Sequence, residues 1–128
     1  AMDSLNICQF VFGPAWHLYS GGQLAETVRM ITGWDTSVED LLRLGERRLN
    51  MLRAFNFREG FGRDEDKLPK KLYKALQGGK SDGIQLQEEE LETAKNIYYE
   101  MAGWEGDSAK PSRKKLDELN IGWVADLI

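Results

Sequence analysis

The stretch that decides the fold is residues 36–58, TSVEDLLRLGERRLNMLRAFNFR. Its apolar residues recur at spacings of three and four, which is the periodicity of one face of an α-helix. Thr36 and Ser37 precede the pattern with hydroxyl side chains that can cap a helix, and Gly60 and Gly62 end it. The sequence therefore predicts a helix of about five turns. Its apolar face carries Val38, Leu41, Leu42, Gly45, Leu49, Leu52 and Phe55.

Gly45 lies in the middle of this apolar face. Glycine in a helix interior costs about 1 kcal/mol relative to alanine, because it loses more backbone freedom when the chain folds. A glycine at such a position predicts that another part of the backbone passes close to the helix.

Helical periodicity continues on both sides of this stretch. A second helix is predicted after the acidic opening of residues 87–90 and before Gly103. Its apolar residues are Leu91, Ala94, Ile97, Tyr98 and Met101. A third helix is predicted over residues 23–31, where Gly33 stops it.

Shorter helices complete the prediction. They cover residues 3–12, 69–76 and 112–119. Asp3 is the expected N-cap of the first of these helices, and Gly13-Pro14 is its expected end. Since no stretch alternates apolar and polar residues in the manner of a strand, the expected fold is all-α, an irregular multihelical bundle.

Composition and charge exclude several classes of protein. The chain has 128 residues, of which 41 % are hydrophobic and 30 % charged, the balance of one globular domain. Its net charge of −4 gives no electrostatic reason to expect a nucleic acid or an anionic membrane as a partner. No apolar run approaches the roughly 18 residues of a membrane span. A single cysteine excludes an intrachain disulfide, which fits a cytoplasmic protein.

The expected organisation is a single helical domain over residues 3–128, preceded by Ala1-Met2 as a cloning remnant or start. The stretch ALQGGKSDGIQ, residues 75–85, is rich in glycine and polar residues. It is predicted to be a flexible connection inside the domain, because neither side is large enough to fold well alone.

Cys8 and His17 are the residues whose side chains most readily bind metals or react, and each type occurs once. Cys8 can be a metal ligand, a redox thiol or a small buried side chain, and its apolar neighbours favour burial when this stretch is taken alone. His17 lies between Trp16 and Leu18 with no carboxylate nearby, so it is predicted to be structural.

Charged residues are dense around the main helix. They are Glu46, Arg47, Arg48, Arg53, Arg58, Glu59 and Arg63. One interpretation is a solvated helix face, in which each ion pair stabilises by only tenths of a kcal/mol. The other is that some arginines are buried and pair with carboxylates or with phosphate oxygens.

The order and spacing of longer segments carry a resemblance to a known family. The segments are DSLNICQF (3–10), TGWD (32–35), GERRLNMLRAFNFREGFGRDEDKLP (45–69) and YYEMAGWEGDSAKPSRKKLDEL (98–119). Together they resemble the C-terminal domain of the tungsten-containing aldehyde ferredoxin oxidoreductases. The resemblance runs from Asp3 to about Leu119, and it implies a multihelical fold.

The resemblance also implies cofactors. Complete family members hold a tungsten or molybdenum centre between two pterins, beside a four-iron four-sulfur cluster. The family motif D-x-x-G-L-C is matched by DSLNIC, in which Asn6 stands where glycine is usual and Ile7 replaces leucine. By this match Asp3, Asn6 and Ile7 are expected to contribute to pterin binding. Cys8 is the expected metal ligand, the fourth cysteine of the cluster, with the other three in an earlier domain.

The implied parent enzyme oxidises aldehydes to carboxylates and passes electrons to ferredoxin. Its expected partners are ferredoxin, the aldehyde and the upstream domains of the same chain. The present chain is then expected to be a fragment, inactive and without cofactor by itself, and its catalytic residues remain unassigned. Arg53 and Glu59 are the expected buried pair in the wall of the cavity. The alternative is a stand-alone, non-catalytic helical interaction module descended from that domain.

Overall fold

The computed structural model of the chain describes residues 1–12 and 19–128. The chain divides into two compact units, unit 1 (Ala1–Leu52) and unit 2 (Arg53–Ile128). Each unit has its own cluster of buried apolar side chains. The single domain over residues 3–128 stays a prediction.

Helices provide the regular structure of both units. The α-helices of the described ranges are α1 (Gln9–Phe12), α2 (Gly21–Thr32), α3 (Val38–Arg58), α4 (Glu88–Ala102) and α5 (Arg113–Glu118). The 3₁₀ turns are Asp3–Leu5, Arg63–Glu65, Lys70–Tyr73, Gly79–Ser81 and Gly122–Leu127. The described residues form no sheet and include a lone bridge between Trp104 and Pro111, so the all-α prediction is confirmed. Within the same ranges, no helix has both the length and the apolar character of a membrane span.

The ends of α2 in unit 1 are fixed by its own sequence. The Gln23 backbone N–H donates to the Ser20 hydroxyl at 3.3 Å, and the Ser20 N–H donates to the Gln23 side-chain oxygen at 2.7 Å. This reciprocal pair satisfies a donor that the first turn of a helix leaves unpaired. Gly33 ends the helix with φ 73°, as predicted. The buried cluster of unit 1 consists of Ala25, Val28 and Leu41.

The start of α3 is also encoded locally. The Asp40 carboxylate accepts from the Ser37 N–H at 2.9 Å and from its hydroxyl at 2.6 Å, while the Ser37 hydroxyl accepts from the Asp40 N–H at 3.1 Å. The predicted helix and the role of Ser37 at its start are confirmed. A Cβ on Gly45 would lie 2.6 Å from the Ala1 backbone nitrogen, which confirms the predicted close approach of another backbone segment.

The N-terminal segment differs from the single helix predicted over residues 3–12. It forms the 3₁₀ turn Asp3–Leu5, breaks, and resumes as α1. The break occurs at Asn6, whose backbone has φ 55° and ψ 34° and cannot continue a right-handed helix. Asp3 is not the N-cap either, since Met2 occupies that position and no side chain caps the turn. The expected end at Gly13-Pro14 lies outside the described residues.

The buried cluster of unit 2 lies near its C-terminus. Its members are Ala54, Leu116, Leu119, Ile121 and Val124. Ser112 caps α5 by accepting from the Lys115 N–H at 3.2 Å, as the sequence suggests. Asn120 then takes a left-handed conformation, with φ 58°, and the Ile121 N–H donates to the Leu116 carbonyl at 2.9 Å. This turn places both sides of the segment in the same core.

The chain between the two longest helices is less regular than predicted. The helix expected over residues 69–76 is the 3₁₀ turn Lys70–Tyr73. Within residues 75–85, the Gly83 N–H donates to the Leu76 carbonyl and the Leu76 N–H to the Ile84 carbonyl, both at 2.9 Å. These bonds close a turn, so the connection has a defined backbone path.

Candidate functional site

The N-terminal turn of unit 1 holds the residues that sequence reasoning assigned to cofactors. Cys8 follows the break at Asn6, and its side chain is exposed, so the interpretation of Cys8 as a buried side chain was wrong. The Asp3 carboxylate is half exposed and accepts from Arg48 at 3.2 Å. The Ile7 N–H donates to the Met2 carbonyl at 3.0 Å. The segment therefore presents a thiol to solvent on a backbone that is hydrogen-bonded to itself.

Asn6 has a physical reason to replace the glycine of the family motif. Its φ of 55° lies in the left-handed region, which glycine adopts freely and which asparagine tolerates better than most residues. The Asn6 N–H donates to the Asp3 carbonyl at 3.3 Å, which closes the turn. Asn6 therefore preserves the backbone conformation that a glycine would take here.

Replacing Asn6 with alanine should destabilise the chain by about 1 kcal/mol, because alanine pays the full cost of the left-handed backbone. Replacing it with glycine should cost much less than replacing it with alanine, because glycine adopts the left-handed backbone freely. Urea denaturation followed by circular dichroism measures both. Equal losses for the two variants would show that the Asn6 side chain, and not its backbone conformation, matters.

The metal-binding side chains of the described residues can be compared with the ligands that an iron–sulfur cluster needs. Iron–sulfur clusters take thiolate ligands, usually four, and the chain has one cysteine. No group of three or more His, Cys, Asp or Glu residues within residues 1–12 and 19–128 could hold a metal ion. The neighbouring Ser4 hydroxyl is buried without a hydrogen-bond partner in the structure. A cluster that included Cys8 would therefore need further ligands from outside the described residues.

A second cluster of polar groups surrounds Arg53 in unit 2. The Arg53 guanidinium donates to both oxygens of the Asp66 carboxylate, at 3.0 and 2.7 Å. Its Nε–H donates to the Ala109 carbonyl at 2.8 Å, and its Cζ atom lies 4.9 Å from the centre of the Trp104 ring. Ala109 is fully buried and has φ 56°, an uncommon conformation for alanine. Arg53 therefore joins α3, the segment around Asp66 and the loop before α5.

The predicted pair of Arg53 and Glu59 is wrong. Glu59 comes six positions after Arg53, just past the end of α3, whereas neighbours on a helix surface are three or four positions apart. Glu59 instead accepts from the adjacent Arg58 at 3.0 Å, and both of these side chains are about half exposed. The expectation that Arg53 is buried and paired is confirmed, with Asp66 as its partner.

Tyr99 completes this cluster from α4. Its hydroxyl donates to the Asp66 carboxylate at 2.5 Å. Desolvation by burial raises the pKa of Asp66, but hydrogen bonds from Arg53 and Tyr99 outweigh it, so the pKa lies below its ordinary value. Burial, and then the hydrogen bond to Asp66, raise the pKa of Tyr99 to about 12. The cluster therefore keeps its carboxylate ionised and its phenol protonated, which suits a structural role.

The raised pKa of Tyr99 predicts a loss of stability in strong base. The unfolded chain releases this proton at the ordinary value of 10.0 and the folded chain only at about 12, so the stabilisation is complete below 10.0 and is lost as pH rises through 12. Wild type should lose stability in this range more steeply than Tyr99→Phe, in urea titrations at fixed pH. Parallel curves for the two proteins would contradict the assignment.

Sequence reasoning missed the partners of Arg53. Asp66, Tyr99 and Ala109 lie 13, 46 and 56 residues away along the chain, so no helical periodicity connects them to Arg53. The hint in the sequence was a helix arginine followed by the acidic run of residues 64–66. His17, predicted to be structural, lies outside the described residues.

Comparison with known proteins finds one matching family and several similar proteins. The family described as "Aldehyde ferredoxin oxidoreductase, domains 2 & 3" matches residues 1–121. The tungsten-containing aldehyde ferredoxin oxidoreductase of Pyrococcus furiosus is 34 % identical over 124 residues, which is 94 % of this chain and 19 % of that protein. The Thermococcus kodakarensis protein of the same name is 32 % identical over 123 residues, with the same coverage of 94 % and 19 %. No solved structure matches the chain.

The match to the family covers nearly the whole chain, whereas the chain spans only about a fifth of the relatives' length, 19 %. Over this region the helical structure agrees with the resemblance carried by the sequence segments. The chain belongs to the aldehyde ferredoxin oxidoreductase family.

Proposed function

We propose that this chain is part of a tungsten- or molybdenum-pterin enzyme that oxidises aldehydes to carboxylates and passes the electrons to ferredoxin. The observation that carries the proposal is the 34 % identity along 94 % of the chain to a protein named for tungsten, aldehyde and ferredoxin. The exposed thiol of Cys8 supports it, because a cluster ligand must be accessible to residues from outside this segment.

The proposed role of Cys8 is to supply one thiolate to a four-iron four-sulfur cluster. The left-handed backbone at Asn6 supports this role, since it ends the first turn and leaves the next residues outside a helix. Ile7 and the Asp3 carboxylate, which is held by Arg48, are proposed to contact the pterin together with Asn6. When bound, the metal and pterin supply the two-electron chemistry, while these residues position them.

Residues 1–128 alone are proposed to hold no metal and to have no activity. The reason is the shortage of ligands: one cysteine in the chain, and no cluster of metal-binding side chains among residues 1–12 and 19–128. The upstream part of the same polypeptide would supply the remaining ligands. A cytoplasmic location is part of the same proposal, because free thiols and iron–sulfur ligands persist in a reducing compartment.

The testing experiment uses the native full-length protein, purified anaerobically. We expect an intact mass several times that of this chain, about four irons and one tungsten or molybdenum per polypeptide. Cys8→Ser should lower the bound iron and abolish the electron paramagnetic resonance signal of the cluster. Val11→Ser is the matched control, since Val11 is exposed on α1 and has no thiol.

Unchanged iron and an unchanged signal in Cys8→Ser would remove Cys8 from the ligand set. A metal-free wild-type protein no longer than this chain would contradict the whole proposal. That result would favour the stand-alone interaction module.

A further inference from the structure

Three aromatic rings of unit 2 lie in mutual contact beside the Arg53–Asp66 pair. Tyr98 and Trp104 meet edge to face with ring centres 5.5 Å apart, and Tyr99 lies tilted against Trp104 at 5.9 Å. The rings of Tyr98 and Tyr99 complete the set at 6.3 Å. These three residues are called here the aromatic cluster. Rings at such distances are in direct contact, so an electron can move from one ring to the next.

The aromatic cluster extends from solvent into the interior of the unit. Tyr98 is 49 % exposed, whereas Tyr99 is only 2 % exposed. Trp104 is partly buried and lies against both tyrosines. An oxidant in solution can therefore take an electron from the outer ring, while the inner ring stays shielded from other molecules.

Tyr99 has a proton acceptor already in place. Its hydroxyl donates to the Asp66 carboxylate at 2.5 Å, within the range of a strong hydrogen bond to a charged acceptor. A phenol that loses an electron becomes a very strong acid, so its proton passes to such a carboxylate and leaves a neutral radical.

The Arg53 guanidinium decides which ring keeps the oxidised state. Its Cζ atom lies 4.9 Å from the ring centre of Trp104 and 5.9 Å from that of Tyr99. A cation at these distances disfavours a positively charged ring. The oxidised state therefore settles on Tyr99, where loss of the proton to Asp66 removes the positive charge.

We propose that the aromatic cluster is a site of one-electron oxidation at which the oxidised state ends on Tyr99. The oxidant is an organic peroxyl radical, which takes one electron from the cluster and leaves as the hydroperoxide anion. The O–H bond of Tyr99 breaks, its proton goes to the Asp66 carboxylate, and Tyr99 becomes a neutral phenoxyl radical. The inference concerns unit 2 alone and does not require the metal or the pterin of the proposed function.

The test generates a one-electron oxidant beside the native full-length protein. A light flash converts tris(bipyridyl)ruthenium(II) to ruthenium(III), and electron paramagnetic resonance of frozen samples measures the tyrosyl radical. Wild type should give a radical signal that Tyr99→Phe lacks, since the two proteins differ by one hydroxyl group. Tyr73→Phe is the matched control and should keep the wild-type signal, because Tyr73 lies outside the aromatic cluster, on the 3₁₀ turn Lys70–Tyr73.

Asp66→Asn tests the transfer of the proton. Asparagine keeps a hydrogen-bonding oxygen but is too weak a base to take the proton, so Tyr99 should be oxidised at least about tenfold more slowly, the contribution expected of a positioned base. Since this variant can lose stability, the oxidation rate of wild type is also compared in ordinary and heavy water. It should be lower in heavy water, because the proton leaves Tyr99 together with the electron.

Three results would overturn the inference. They are equal radical signals in wild type and Tyr99→Phe, an unchanged rate in folded Asp66→Asn, and equal wild-type rates in the two solvents. Each of these readouts is independent of tungsten, molybdenum and iron content, so the inference and the proposed redox function can fail separately.

Discussion

Replacing Arg53 with methionine is expected to destabilise the chain by about 3 kcal/mol, because the change removes the donor that the Asp66 carboxylate and the Ala109 carbonyl share. The Asp66 carboxylate would keep only the Tyr99 hydroxyl, and the fully buried Ala109 carbonyl would lose the Nε–H bond of 2.8 Å. Methionine keeps much of the side-chain volume, so the loss measures hydrogen bonds and charge rather than an empty cavity. Urea denaturation followed by tryptophan fluorescence gives the free energy of unfolding.

Arg58→Met is the matched control, since Arg58 lies on the same helix and pairs with Glu59 in the open. An exposed ion pair contributes about 0–1 kcal/mol, so this variant should unfold almost like wild type. Arg53→Lys should fall between the two, because lysine keeps the charge but loses the planar fork.

A double-mutant cycle with Asp66→Asn isolates the pair itself. Coupling of about 1 kcal/mol or more between Arg53→Met and Asp66→Asn would confirm direct interaction, because the residues share hydrogen bonds. If Arg53→Met cost no more than Arg58→Met, the buried pair would contribute nothing net to stability. Desolvation of the guanidinium would then balance its bonds to Asp66 and Ala109.

The helices were predictable where their signals are local. The start of α3 follows from Ser37 and Asp40, which satisfy each other's backbone donors, and the end of α2 follows from Gly33. Gly45 predicted a close backbone approach because a glycine in an apolar stripe needs a steric reason. Each of these signals lies within a few residues of the structure it controls.

The break at Asn6 could not be found in this way. DSLNICQF has acceptable helix formers on both sides, and asparagine occurs in helices as well as in left-handed turns. Whether Asn6 continues a helix or takes the left-handed conformation depends on the turn closed by Asp3 and on packing near the start of the chain. Periodicity also identified the apolar residues of α4 but not their exposure, because it does not say whether a face meets its own core or another part of a longer protein.

The residues of the candidate site are a prediction that rests on the family resemblance. The resemblance selected Asp3, Asn6, Ile7 and Cys8, and the structure adds that the thiol is exposed and the backbone at Asn6 left-handed. Sequence reasoning chose Arg53 correctly and its partner wrongly. Ion pairs between distant segments depend on the tertiary path of the chain, and several carboxylates in this acidic protein could have reached Arg53.

Replacing Leu116 with alanine should destabilise the chain by about 3–4 kcal/mol, from lost burial and from the cavity left behind. Leu116 has an exposed fraction of 0 % and belongs to the buried cluster of unit 2. That cluster is small, so its other members have few alternatives with which to fill the space. Denaturation in urea, followed by circular dichroism, should show an earlier midpoint.

Two further variants test whether the predicted loss comes from the burial and the volume of the Leu116 side chain. Leu127→Ala removes the same atoms from a side chain that is 52 % exposed, so its cost should stay below about 1 kcal/mol. Leu116→Met keeps the volume and should cost less than about 1.5 kcal/mol. If Leu116→Ala and Leu127→Ala cost the same, the C-terminal cluster would not be a consolidated core. Unit 2 would then depend on contacts outside this cluster in order to fold.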